Sequence, residues 1–171
     1  MSQVLTDSEI AELTARPKQL PIRWRTRLNL RQRNGDAHRR RDLPLGNDAE
    51  SFVIKCRQSA INPLDFSIVL VYLDKAKNLY RLLRCNGKHP SQHTNRWERQ
   101  QGQNGHTFGP CFHIHQATQR YQEADLEIDG FAQLTEAYSD YDSALEYFVR
   151  ISGCVDPEPR TPSSSDLFGG V

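Results

Sequence analysis

The chain has 171 residues, 37% hydrophobic and 25% charged, with a net charge of +1 at neutral pH. Mean hydropathy is -0.71, so a modest core under a very polar surface is expected, within one domain. No apolar run approaches a bilayer-crossing length, and no phosphate-loop, serine-nucleophile or dinucleotide fingerprint occurs, which sets aside membrane proteins, NTPases, serine hydrolases and redox enzymes.

The start, Met1 to Asp7, lacks the basic-then-apolar pattern of a secretory leader, so a cytoplasmic protein without a cofactor is expected. Cys56, Cys85, Cys111 and Cys154 form no Cys-x-x-Cys pair and are expected as buried, reduced thiols.

Thr6 and Glu9 match a capping box, which predicts a helix that Pro17 limits to about ten residues. Over residues 22–31, Trp24, Thr26, Leu28 and Leu30 alternate with Arg23, Arg25, Arg27, Asn29 and Arg31. That period of two predicts a half-buried strand with an arginine ladder on its open face. Asn34-Gly35-Asp36 reads as a turn, and residues 38–43 as a return strand. Phe52, Ile54 and Cys56 mark another strand, and the apolar run Phe66–Tyr72 a central one covered on both faces. Leu79–Cys85 follows after a turn.

Residues 86–111 are polar and interrupted by glycine and proline, and are expected as a long mobile loop. Cys111–His115 is the expected final strand, followed by a short helix to Ala124. Tyr141, Ala144, Leu145, Phe148 and Val149 fall at helical spacing between Asp140 and Ile151, with Gly153 as the stop. The fold class is therefore α+β: an N-terminal helix, an antiparallel meander of about five to six strands, and C-terminal helices on one face. Residues 1–155 form the domain, and the Pro-, Ser- and Gly-rich stretch 156–171 is expected to be a disordered tail.

The charge is unevenly spread. Residues 23–41 carry eight arginines against Asp36, whereas residues 116–171 carry eleven acids against Arg120, Arg150 and Arg160. Arginine suits bidentate phosphate contacts, so Arg23, Arg25, Arg27, Arg31, Arg39, Arg40 and Arg41, with Lys88, are the candidates for binding nucleic acid. The competing structural role is a solvated face or a charged, protected edge. Trp24 alternates with arginine and reads as core, while Trp97 is the better base-stacking candidate.

Five of the six histidines lie within residues 89–115: His89, His93, His106, His113 and His115. Three chemistries fit this segment. His113 and His115, two apart on a strand, could begin a cupin-like metal site with His93 or His89, but the glutamate expected soon after His115 is absent. Metal-independent acid–base chemistry on RNA needs a base, an acid and a cation; His93, His113, His115, Arg84, Arg120 and Tyr121 supply them. Alternatively, the histidines tie down backbone.

Several stretches carry a resemblance: Leu-Thr-Asp-Ser-Glu at 5–9, Asn-Pro-Leu-Asp-Phe-Ser at 62–67, Asn-Gly-Lys-His at 86–89, His-Thr-Asn at 93–95, and Phe-His-Ile-His-Gln-Ala-Thr-Gln-Arg-Tyr-Gln at 112–122. On these the chain resembles an uncharacterised family of small bacterial proteins. More distantly, Tyr80 to Phe112 looks like the core of the TumE-type toxins of toxin–antitoxin pairs, although Cys85 replaces an expected aromatic residue and residues 96–110 are longer. The second resemblance implies a small toxin or phage-defence-associated protein. Joined to the chemistry of the histidine segment, the expectation is a protein that binds or cleaves RNA, with an antitoxin or defence-complex subunit as a candidate protein partner. The alternative is a non-catalytic adaptor or inhibitor that engages nucleic acid or protein through its arginine face.

Overall fold

A computed structural model describes residues 3–46, 51–103 and 105–158. Most of the expected tail, residues 159–171, lies outside them. In chain order the elements are α1 (Asp7–Ala15), β1 (Lys18–Gln19), α2 (Trp24–Arg27), β2 (Arg31–Gln32), β3 (His38–Leu45), β4 (Ser51–Ser59), β5 (Phe66–Leu73) and β6 (Leu79–Asn86). There follow β7 (His93–Thr94), α3 (Arg96–Gln100), β8 (Thr107–Phe108), β9 (His113–Gln116), α4 (Gln119–Glu123), β10 (Phe131–Leu134), α5 (Tyr141–Ile151) and β11 (Cys154–Val155). The fold is α+β. Its main sheet is antiparallel with seven strands in the order β10-β9-β6-β5-β4-β3-β2. β9 is not the last strand, because β10 pairs on its far side.

Strand alternation gives the sheet two unlike faces. One carries Leu43, Ile54, Cys56, Ile68, Leu70, Leu83 and Cys85, all buried. Helix α5 covers it with Ala144, Leu145, Phe148 and Val149, and α1 adds Ile10 and Leu13. Each such aliphatic or aromatic side chain contributes about 1.5–3 kcal/mol by leaving water. Both helices begin with a capping box: Thr6 with Glu9, as expected, and Asp140 with Ser143, which was not among the expectations. Lys18 is buried where both helices end, and its Nζ donates to the carbonyls of Leu13, Thr14, Arg16 and Ser152. These carbonyls include ones left without an intrahelical partner at a helix C-terminus.

Two expectations need correction. Residues 22–31 do not form a strand: Trp24–Arg27 is a helical turn. The buried residues are Trp24 and Leu28, four apart, a spacing that one helical turn satisfies as well as alternation does. Thr26, which a strand would have buried, is exposed. The composition-based tail boundary is also too early, since Asp156 accepts a hydrogen bond from the Trp24 indole at 2.8 Å and one from Arg25 at 2.8 Å. In addition, Cys111 is exposed, unlike buried Cys56 and Cys85, because it precedes β9 in a connecting segment.

Candidate active site

The opposite face of the sheet is polar. Register places Arg31, Arg40, Arg57, Ser67, Asn86 and His113 side by side across β2, β3, β4, β5, β6 and β9. The next row runs Asp42, Lys55, Val69, Arg84, His115 and Ala132. His113 and His115 therefore share this face, as their spacing requires, with ring centroids 4.9 Å apart.

The described residues of 87–111, namely 87–103 and 105–111, are not a bare loop. β7 and β8 pair as a small hairpin around α3. Gly87 opens the segment where a Cβ would collide with the Leu64 carbonyl oxygen at 2.0 Å, so no larger residue fits. Asn95 anchors the segment: its Nδ2 donates to Ala132 O and its Oδ1 accepts from Ala132 N, both at 2.9 Å. One side-chain amide thus takes the place of a further strand on the open edge of β10. This brings His93 within 4.6 Å of His115 and 5.9 Å of His113, ring to ring.

Hydrogen-bond partners assign the tautomers. His113 Nδ1 donates to Cys111 O at 2.7 Å, and its Nε2 accepts from Asn86 Nδ2 at 3.1 Å. His115 Nδ1 donates to Asp129 O at 2.8 Å. Both rings are neutral and buried; burial pushes the His113 imidazole down to about 4 and His115 lower still, helped by the Arg84 charge. His93 differs. Its Nε2 donates to Asn95 Oδ1 at 3.1 Å, which leaves Nδ1 to take a proton. Burial lowers its pKa, but Asn95 and the Gly130 backbone favour the charged ring.

His93 borders a cavity of about 270 Å3 shared with Arg84, Arg96, Tyr121, Glu127 and Gly130. Arg84 Nη2 stands 3.1 Å from Oδ2 of Asp129, whose side chain is fully buried. Burial raises the Asp129 carboxyl against the pull of Arg84 and Arg81, and lowers the Arg84 guanidinium against the pull of Asp129. Neither carboxylate oxygen of Asp129 accepts a hydrogen bond among the described residues, so charge alone holds it to the arginines.

Arg120 and the Tyr121 hydroxyl turn to Glu98. Glu98 accepts from Arg120 Nη2 at 2.6 Å and from the Tyr121 hydroxyl at 2.7 Å. Burial works to raise the Glu98 carboxyl, but these two bonds hold it below the usual range. Tyr121 lines the cavity with its ring, while its hydroxyl is committed to Glu98 and its pKa is raised by burial. The Arg120 guanidinium lies 5.2 Å over the half-buried ring of Trp97, a surface that would otherwise be open to a base.

On the other side of His113 stands a second polar group. His89 Nδ1 is 2.5 Å from Asp65 Oδ1, Arg57 donates to Asp65 at 3.2 Å, and Arg57 also meets His38 Nε2 at 2.9 Å. The sixth histidine thus reaches the same face from β3. His106 is exposed and lines a different cavity with Phe108 and Phe131.

The arginines of residues 23–41 divide. Arg31 and Arg40 lie on the polar face, whereas Arg39 and Arg41 alternate to the other side. Arg41 donates to Arg27 O, and Arg39 and Arg25 line a cavity of about 610 Å3 beside α5. Arg25 is bound to Glu146 and Asp156 at 2.8 Å each, and the Arg23 backbone donates to Glu158. Here the basic front meets the acidic rear. Arg23, Arg27 and Lys88 are exposed, and no ion pair ties them among the described residues.

Among the described residues, no three His, Cys, Asp or Glu side chains are arranged to hold a metal ion. Both nitrogens of His113 are committed to hydrogen bonds, and the Nδ1 of His115 is committed to Asp129 O. No helix among the described residues is long and apolar enough to cross a membrane. No family model matches the chain, nor does any curated protein or solved structure match it significantly.

Sequence reasoning missed Asp129, Arg96, Arg57, Asp65 and Glu98 at this site, and the anchoring role of Asn95. Asp65 and Asn95 lay within stretches already singled out, Asn-Pro-Leu-Asp and His-Thr-Asn. Nothing local marks Asp129, which comes from a turn far along the chain.

Proposed function

We propose that this is a small bacterial toxin-like or phage-defence-associated protein that acts on RNA in the cytoplasm, as a metal-independent endoribonuclease. The observation that supports this best is His93 bordering an open cavity beside Arg84 and Arg96. A general base must be neutral at the working pH and reach its substrate, and His93 is the member of the His93–His113–His115 cluster with both properties. In this reaction His93 takes the proton of a ribose 2′-hydroxyl. Arg84 and Arg96 carry the charge that builds on the phosphorane. His113 and His115 stay neutral and pack against the His93 ring.

The polar row supports a polyanionic substrate. Arg31, Arg40 and Arg57 stand directly opposite one another on neighbouring strands, an arrangement that costs stability unless anions compensate. Asp36 and Asp65 compensate in part, and a phosphate backbone would complete this.

The test is incubation of the purified full-length protein with a single-stranded oligoribonucleotide in EDTA. Products ending in a 2′,3′-cyclic phosphate are expected, and His93→Ala should slow their formation about 10²–10⁴-fold with circular dichroism unchanged. Activity that EDTA abolishes and zinc restores would replace this mechanism with a metal one. The exposed, unpaired Arg23 and Arg27 favour a second possibility, a non-catalytic module that binds nucleic acid or an acidic protein partner. Binding without cleavage of any RNA would select it.

A further inference from the structure

Cleavage at a 2′-hydroxyl needs two proton-handling groups, and the cavity beside His93 supplies one. His113 and His115 are excluded by burial and by their hydrogen bonds. The Tyr121 hydroxyl is engaged by Glu98. Glu127 is turned to Arg81 at 3.1 Å. His89 is left.

We propose that the Asp65–His89 pair is the second acid–base group of this site, working with His93 on one phosphodiester held beside Arg84. This rests on the ribonuclease reading and completes it. Three observations carry it. The 2.5 Å contact between His89 Nδ1 and Asp65 Oδ1 requires a proton between them, so Nε2 is the nitrogen of His89 free to act. The rings of His89 and His93 stand at nearly equal distances from His113, 6.0 and 5.9 Å, at different tilts of 74° and 23°. Arg57, the end of the arginine row, touches both Asp65 and His89, so a bound strand following that row would arrive at His89.

The roles follow from the partners. Burial, Arg57 and Arg84 lower the pKa of His89 overall, and Asp65 works against them in favour of the imidazolium. The carboxylate partner assigns His89 as the acid, and the amide partner of His93 assigns it as the base. The 2′-oxygen bonds to phosphorus as the P–O5′ bond breaks. His93 gains the 2′-hydroxyl proton, and His89 Nε2 gives its proton to O5′, leaving a cyclic phosphate and a 5′-hydroxyl. The charged and titratable groups facing His89 are Asp65, Arg57, Arg84 and His113, with His38 reached through Arg57.

Two measurements test the pair. In the wild-type protein, titration with inorganic phosphate should shift the NMR ring signals of His89 and His93 along one common saturation curve. In RNA cleavage, His89→Asn should lose about 10²–10⁴-fold, and Asp65→Asn should move the alkaline limb of the pH–rate profile to lower pH while the acid limb stays. Phosphate that shifts His93 without His89, or an Asp65→Asn profile scaled down with neither limb moved, would overturn the pairing. If the wild type cleaves no RNA, the ribonuclease reading falls, yet the phosphate titration still decides. A common curve keeps His89 and His93 as one anion site, and separate or absent shifts dissolve it.

Discussion

His93, His113 and His115 come together with ring centroids 4.6 to 5.9 Å apart, whereas Arg39, Arg40 and Arg41, adjacent in sequence, part to opposite faces of the sheet. The two segments are similarly rich in functional side chains. The difference lies in spacing and cover. Positions 113 and 115 share a strand face, and Asn95 pins the overlying segment so that His93 meets them. Consecutive arginines on β3 must alternate, and the helical turn at Trp24–Arg27 scatters the rest. Density of a residue type in sequence therefore predicts a site only where its period matches the element that carries it.

The largest effect that would sharpen this contrast is on stability. Arg84→Met leaves the buried Asp129 carboxylate with only Arg81, at 3.9 Å, and should cost up to about 3–5 kcal/mol, read by urea unfolding. Adding Asp129→Asn to that variant should restore part of the stability. An unchanged midpoint for Arg84→Met would mean that the ion pair does not hold the turn over β9.

Acid should act next. His113 is held down to about 4, chiefly by burial, so it binds its proton more weakly folded than unfolded. Its contribution is complete above about pH 6.5 and is lost as pH falls toward 4, on the order of 3 kcal/mol. His115 adds in the same direction. Urea midpoints measured from pH 7 to pH 4 should fall, and more steeply in the wild type than in His113→Asn. Parallel curves for the two proteins would show that the cluster is not the acid-sensitive part.

In the arginine-rich segment, Asp156→Ala removes the partner of the Trp24 indole and should cost about 1–3 kcal/mol, the penalty for an unsatisfied buried donor. No change in melting would mean that α2 is held by packing alone. The smallest effect concerns the row itself. Replacing Arg31 and Arg40 with alanine should leave the fold unchanged and reduce the salt slope of single-strand RNA binding by roughly 0.7 for each phosphate no longer neutralised. The same slope in the double variant would remove the row from the binding surface.

The α+β class, helices α1 and α5 and strands β3 to β6 were legible in the sequence, because the capping box at Thr6 and the hydrophobic periods are local rules that a single chain states openly. The shared face of His113 and His115 was legible for the same reason. At residues 22–31 two local rules coincided: the buried Trp24 and Leu28 satisfy both alternation and a helical turn, and only their tertiary partners, Asp156 above all, decided between them. The order β10-β9-β6, the Asn95 plug and the burial of Asp129 beneath Arg84 also belong to tertiary structure. Each joins residues far apart in the chain. Which imidazole stays neutral and which can exchange a proton depends on how much water each keeps, and that is set by the segment folded over them rather than by the histidines themselves.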